Sequence, residues 1–590
     1  MNMKYGFYLF AIIVATACLS SCQQQSSNKV VKKSNHKASK APVWTLNDDD
    51  TELGTTDFYS FDIEHDYSQL NEKVYTNPSK KLYVENTKFE DTISITYNGD
   101  KAIVSKDKST GVSVQTNGAH VTISTTKDVT CTLSGKSENG SLNIMGDNKV
   151  RINLNGVNLK NTNGPAINNQ SHNTCFLVTD SISVLKDDSL YTDNGEGEQL
   201  KGCVCNKGAI AISGAAPLTI IANGADAIHS GKTIFVRRGS YINIDSHAGS
   251  AIKANNKVKI EGGVLNINST GRGGHGIAAK MMVRISGGRT TIISNTGNSK
   301  DGKNSRGIKS DSIVAITGGI VRVKESSLGG KGIRAGHLFY AKNCIVDVLT
   351  FGNDDMGTGS KNRGIRAVNV LRIDDARVRV RAENGRSEAL SCSRKIIINN
   401  SLVELKSLDD AISAGDAGLA DIQINNGRIY ADAGTDGMDS NGTIHINSGL
   451  LFLIGRSHIG RGIDCDFDEF KIGGNATLVS IGKITSHPTS ELLEHPACLS
   501  TRRTSDAQFC LSTTGTNDNL ISFETPEFWF GGIYKMLLSI PEFKSNVSYD
   551  FCQSATVKPK HTFHGLLIGG TVEDKTVTDR HSFVKNYTKF

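Results

Sequence analysis

Six basic residues stand at two fixed offsets from an isoleucine. Lys309, Arg334 and Arg366 directly follow Ile308, Ile333 and Ile365, and Arg306, Lys331 and Arg363 precede the same isoleucines by two. If the isoleucines stack, the six cations gather within roughly 15 Å and repel one another unless salt or an anion screens them. Guanidinium groups grip carboxylate or sulfate through paired hydrogen bonds, so a ligand of repeating negative charge would match them. Long side chains splayed into solvent fit the same spacing at little cost. Acidic residues recur at related places: Asp226, Asp409, Asp410, Asp436, Asp439 and Asp464, with Asp466 and Asp468 close behind. Carboxylates and turn carbonyls together can furnish the roughly six to eight oxygens that Ca²⁺ takes, which makes calcium the candidate cofactor. Aspartates that cap turns fit equally well. No motif singles out a nucleophile or general base, so no catalytic residue is assigned.

The elements that position these residues follow from the repeat around them. The stretch "NSRGIKSDSIVAITGG", residues 304–319, recurs with its isoleucine at Ile228, Ile252, Ile277, Ile308, Ile333, Ile365, Leu390, Ile412, Met438 and Ile463. The step averages about 26 residues, the length of one coil of a solenoid. The preceding position is always Gly or Ala, and two positions later stands only Ser, Ala or Cys. Stacking equivalent residues about 4.8 Å apart at a tight corner explains both columns. Each unit continues with an alternating strand, a Gly- or Asn-containing turn and a third strand. The expected fold is all-β: a right-handed parallel β-helix of three short strands per coil, spanning 91–485.

Outside that range the pattern changes. Residues 1–21 join Lys4 to an apolar run and small residues before Cys22, as in a bacterial lipoprotein signal. Cys22 is then the lipidated N-terminus, and the Lys-rich segment 22–45 a flexible tether to a membrane. By resemblance to Gram-negative lipoproteins, the expected location is the outer membrane, on its surface or periplasmic side. Residues 46–90 read as an N-terminal segment or cap. Residues 486–590 read as a small antiparallel β module that covers the open edge of the solenoid.

Composition narrows the partners. A formal charge of +7 in 590 residues is mild, so nucleic acid is not indicated. With only Trp44 and Trp529 among the tryptophans, aromatic platforms for stacking on a flat glycan are scarce. The cysteines lack a CxxC zinc spacing, and pairs such as Cys510 with Cys552 could bridge in an oxidising compartment. On the third strand the outward column runs Asn266, Thr291, Arg322, Asp347, Arg379, Glu404, Tyr430, Phe452, Leu478. Its charges alternate, which suggests a structural ladder, with Phe452 and Leu478 under the C-terminal module.

The segments "INLNGVNLKNTNGPAINNQ", "QLKGCVCNKGAIAISG" and "ADAIHSGKTIFV", with the coils after them, resemble the bacterial carbohydrate-binding β-helix family known for calcium-dependent binding of cellulose and polygalacturonate. The resemblance covers about 90–485, and "ISFETPEFWFGGIYKMLLSIPEFKSNVSYDF" looks like the family's tail module. It implies a polysaccharide partner. The family often carries Asp two before the anchor, which Asp226, Asp410 and Asp436 match, whereas Ser250, His275, Arg306, Lys331, Arg363, Glu388 and Arg461 depart from it. Direct cationic contacts would then replace metal bridges in the middle coils. Three functions follow: a membrane-anchored binder of acidic glycan such as polyuronate or sulfated polysaccharide, a pectate-type lyase, or an adhesin or stalk engaging other outer-membrane proteins.

Overall fold

The anchor residues do lie one above another. In this computed structural model Ile228 pairs with Ile252, Ile252 with Ile277, and so on in parallel register through Ile308, Ile333, Ile365, Leu390, Ile412 and Met438 to Ile463. All ten are fully buried. The column extends upstream through Val204, Ile167 and Leu142, and the solenoid has about 14 turns. The structure describes residues 83–589 except 107–109, 190, 192–199, 296–303, 468 and 584–586. The leader, Cys22, the tether, most of segment 46–90 and Asp468 lie outside the described residues.

Parallel pairing at about 4.8 Å per coil fixes what each column tolerates. A Cβ on Gly332 would lie 2.2 Å from Val348 Cγ1, and one on Gly364 would lie 2.1 Å from Val380 Cγ1. The residue before the anchor is small because the third strand's core valine occupies that space. Corner turns after the second strand use left-handed backbone, at Gly263, Gly288 and Gly319 (φ +84°, +74° and +76°) and at Asn343, Asp375 and Asn400 (φ +50°, +48° and +44°). Glycine, asparagine and aspartate adopt it most readily, which accounts for the turn composition.

The third-strand ladder compensates its own charge: Asp347 lies 3.7 Å from Arg322 and 3.3 Å from Arg379, on the coils either side. Its last member differs from expectation. A bulge between Ile446 and Ser448 shifts the pairing, so Phe452 opposes Val479 rather than Leu478. Leu478 turns into the solenoid core. Phe452 and Val479 join Phe509, Phe523, Phe551, Tyr534 and Met536 in a second core under the C-terminal sheet.

That module covers the end of the solenoid. Strand Ile533–Ser539 runs antiparallel to the last coil strand, Phe470–Gly482, and to strand Ala497–Arg503, satisfying an edge that would otherwise pair with another chain. Cys510 and Cys552 face each other across an antiparallel pair, both as buried thiols.

Candidate functional site

One face of the solenoid carries the residues that directly follow the anchors, because the short strand bearing each anchor also bears the residue after it. Along this face the outward column reads Asn168, Cys205, His229, Lys253, Ala278, Lys309, Arg334, Arg366, Ser391, Ser413, Asp439, Asp464. It is basic in the middle, acidic towards the C-terminal end and hollowed at the N-terminal end.

In the basic stretch Lys309, Arg334 and Arg366 stack in register on successive strands. Lys309 Nζ lies 3.3 Å from Asp311, a half-exposed pair that holds the amine loosely. Arg366 donates to the hydroxyls of Ser391 and Ser393 at 2.8 and 2.7 Å. Arg334, between them, has no hydrogen-bond or ion-pair partner among the described residues. The three guanidinium and ammonium groups are half-buried and aligned at about 4.8 Å steps.

The companion column turns into the corner. Lys331 is only 6% exposed, and its Nζ donates to Ser360 Oγ at 2.8 Å and to the carbonyls of Lys361 and Gly329 at 3.2 and 3.3 Å. Burial, reinforced by Arg306 and Arg363, pulls its amine down to about 6. Burial and the neighbouring Arg334 also pull Arg306 down to about 10. Arg363 is tied to buried Glu388 through two hydrogen bonds of 2.6 and 3.2 Å. Glu388 also receives Lys361 at 3.2 Å, and Lys361 reaches on to Asp409 at 3.1 Å. Burial would raise the Glu388 carboxyl, but the hydrogen bonds and charge of Arg363 outweigh it and hold the group at about 2. Sequence spacing could not separate the outward column from this cornered one, because two of the three groups that receive Lys331, on Ser360 and Lys361, belong to the next coil.

The six aspartates fall into three places. Carboxylate oxygens of Asp436, Asp439 and Asp464 lie within 4.8 Å of one another, and Arg461 pairs with Asp464. Asp410 sits one coil earlier and accepts the backbone N–H of Asp436 at 3.2 Å, as Asp436 accepts that of Arg461 at 2.7 Å. Asp409 belongs to the Lys361 bridge. Asp226 lies far away, accepting the Ser250 N–H at 2.7 Å and His229 Nδ1 at 2.8 Å. Burial followed by mutual repulsion pushes Asp410 up to about 8, and Asp436 and Asp439 to about 7. Asp436 and Asp439 resist ionisation until a cation arrives, and with Asp464 they make an oxygen-only donor set of the kind a hard divalent ion takes. Its fit is to Asp436, Asp439 and Asp464 alone, with Asp410 behind them.

At the hollowed end a cavity of about 510 Å³ opens between the coils of Asn168, Cys205 and His229. Its walls come from the three sequence segments most distinctive in this chain: "GPAINNQ" contributes Asn168 to Gln170, "QLKGCVCNKG" contributes Lys201, Cys205, Asn206 and Lys207, and "ADAIHSGK" contributes His229 and Gly231. Residue spacing gave no reason to group them, since the side chains meet only across coils.

A family model described as carbohydrate-binding domain-containing protein matches residues 117–275. No curated protein matches the chain. Among solved structures, the chain is similar to one described as the polysaccharide lyase-like protein from C. thermocellum, a gadolinium derivative. That likeness has 21% identity and a TM-score of 0.33, and covers 48% of this chain and 96% of that one. The matched family segment includes the whole cavity wall and ends at His275, before the basic stretch begins.

Proposed function

We propose that this protein binds polysaccharide along the anchor-strand face and favours acidic chains. The observation that carries the reading is the aligned, outward-facing row of Lys309, Arg334 and Arg366, with Arg334 unpartnered among the described residues between the other two. Three cations at regular steps repel one another, and a polymer that presents carboxylate or sulfate groups at intervals relieves that repulsion while gaining charge-assisted hydrogen bonds. Arg306, Lys331 and Arg363 lie in the corner behind the row, where Lys331 is taken up by Ser360 and turn carbonyls and Arg363 by Glu388. The family-model match over 117–275 supports a carbohydrate ligand. Asp436, Asp439 and Asp464 would hold Ca²⁺ and thereby join a second anionic stretch of the same chain. The leader and Cys22 support a lipid anchor in a bacterial outer membrane, with the tether holding the solenoid clear of the bilayer.

Affinity electrophoresis through gels containing polygalacturonate, a sulfated glycan or a neutral glucan, with and without chelator, tests this. Retardation in the acidic gels and free passage through the neutral one is expected. Equal mobility in all gels would refute it. Incubation with polygalacturonate should give a flat trace for unsaturated uronate, and a rising one would mark the chain as a lyase.

A further inference from the structure

We infer that residues 57–67 of this same chain, which lie outside the described residues, dock on the outward surface of the second strands, over an apolar row that runs from Met282 to Val370. The first described residues already head there. Phe89 packs edge to face on Phe176 at 6.1 Å, and Val84 joins it against Ala211 and Phe235. Tyr83 lies farther along, its hydroxyl donating to Glu261 at 3.0 Å and its ring 4.1 Å from the Arg237 guanidinium. Phe176, Ala211, Phe235 and Lys259 stand in register on successive coils, and Glu261 closely follows Lys259. Traced back from Phe89 to Tyr83, the chain therefore climbs this face by three coils towards the C-terminal end. Under its path Phe176, Ala211 and Phe235 are buried although they point outward.

Beyond Tyr83 the face continues in kind. One outward column reads Lys257, Met282, Ile313, Leu338, Val370, and its neighbour reads Lys259, Arg284, Ala315, Tyr340, Arg372. Apolar side chains hold the middle, cations stand at both ends, and neither column contains an acid. Met282, Leu338 and Val370 are half-buried, so covering them removes further apolar surface from water. The stretch "DFYSFDIEHDY", residues 57–67, has the complementary pattern. Tyr59, Phe61 and Ile63 alternate with Ser60, Asp62 and Glu64, which gives an extended chain one apolar side and one acidic side. Asp57, Asp62, Glu64 and Asp66 carry its charge, with no lysine or arginine among them, and long basic side chains at the ends of the row reach up to them. The path is also long enough. The sixteen residues from Tyr67 to Tyr83 can span about 55 Å, whereas Val370 stands four coils, about 19 Å, beyond Lys257. A segment tethered this close outcompetes the same segment of another copy at ordinary concentrations.

Carbodiimide coupling of the full chain, which joins carboxylates to lysines in contact, tests this when the linked peptides are mapped by mass spectrometry. Asp62, Glu64 or Asp66 should be linked to Lys257 or Lys259, and within single molecules when light and heavy-isotope chains are mixed. Hydrogen exchange should find residues 59–67 protected at least tenfold over an unfolded peptide. Leu338→Asp/Val370→Asp and Phe61→Asp/Ile63→Asp should each abolish that protection. The second pair of changes lies outside the coils, so an unchanged circular dichroism spectrum separates lost docking from lost fold. Unprotected exchange over 59–67 in wild type would overturn the proposal, as would links to Lys309 in place of Lys257 and Lys259. Links only between light and heavy chains would overturn it in favour of a second copy on this face.

Discussion

Replacing Lys331 by Met should change how stability depends on pH by an amount that the structure sets. The folded chain holds this amine at about 6, because burial and two neighbouring guanidinium groups disfavour its charge. The unfolded chain restores it to about 10.4. Between roughly pH 6 and pH 10 the unfolded state therefore carries one proton that the folded state lacks, and stability rises with pH by about 1.4 kcal/mol per unit. Met cannot titrate, so the variant loses that slope. It also loses hydrogen bonds among Ser360 and the carbonyls of Lys361 and Gly329, of which the neutral amine donates two at a time, worth about 1 kcal/mol each and the same at pH 7 and pH 9. Urea unfolding of both proteins at pH 7 and pH 9, followed by circular dichroism, separates the two effects. The stability difference should move by about 3 kcal/mol in favour of wild type over those two pH units. Parallel pH profiles would refute the reasoning, since they would mean that the amine stays charged in its corner.

Three further outcomes follow from the same contacts. Gly364→Ala places a Cβ 2.1 Å from Val380 Cγ1 and 2.7 Å from the Ala389 carbonyl, and should cost about 1–3 kcal/mol in a melt, while Gly415→Ala meets nothing within 4 Å and should cost little. Glu388→Gln strips the buried partner from Arg363 and Lys361, so unfolding should become easier by about 3 kcal/mol. The same variant should be held more strongly in polyuronate gels, and weaker retention would contradict the pairing. With chelator, the raised carboxyls of Asp410, Asp436 and Asp439 make the folded state hold protons that the unfolded state has released. Their contribution therefore falls as pH rises from about 4 to 8. Calcium at about a hundred times its dissociation constant should return about 2.7 kcal/mol at pH 8. Asp439→Asn should remove that response, and an unshifted wild-type melt on adding calcium would exclude the site.

The columns of this fold are legible in the sequence because one-to-one parallel pairing converts a period along the chain into a row in space. Ile228 to Ile463 and the small residues around them needed no further information. Where pairing slips, that conversion fails: the bulge at Ile446/Ser448 replaces Leu478 with Val479, and nothing in the residue types signals it. Lys331 and Arg334 look equivalent in "KGIRA", yet one turns onto the Ser360 hydroxyl and Lys361 carbonyl of the following coil and the other faces outward. The aspartates share a residue type but divide by coil, and only Asp436, Asp439 and Asp464 converge.

The outward cationic row is tested most directly by a dissociation constant for polygalacturonate. It should be measured for wild type, for Lys309→Ser/Arg334→Ser/Arg366→Ser, and for a control with the exposed Arg284 of strand Met282–Ile285 changed to Ser. The triple variant should bind at least tenfold more weakly, a loss of about 1.4 kcal/mol or more, with the control unchanged. Equal affinity in all three, or the same loss in the Arg284 control, would contradict the assignment of this face.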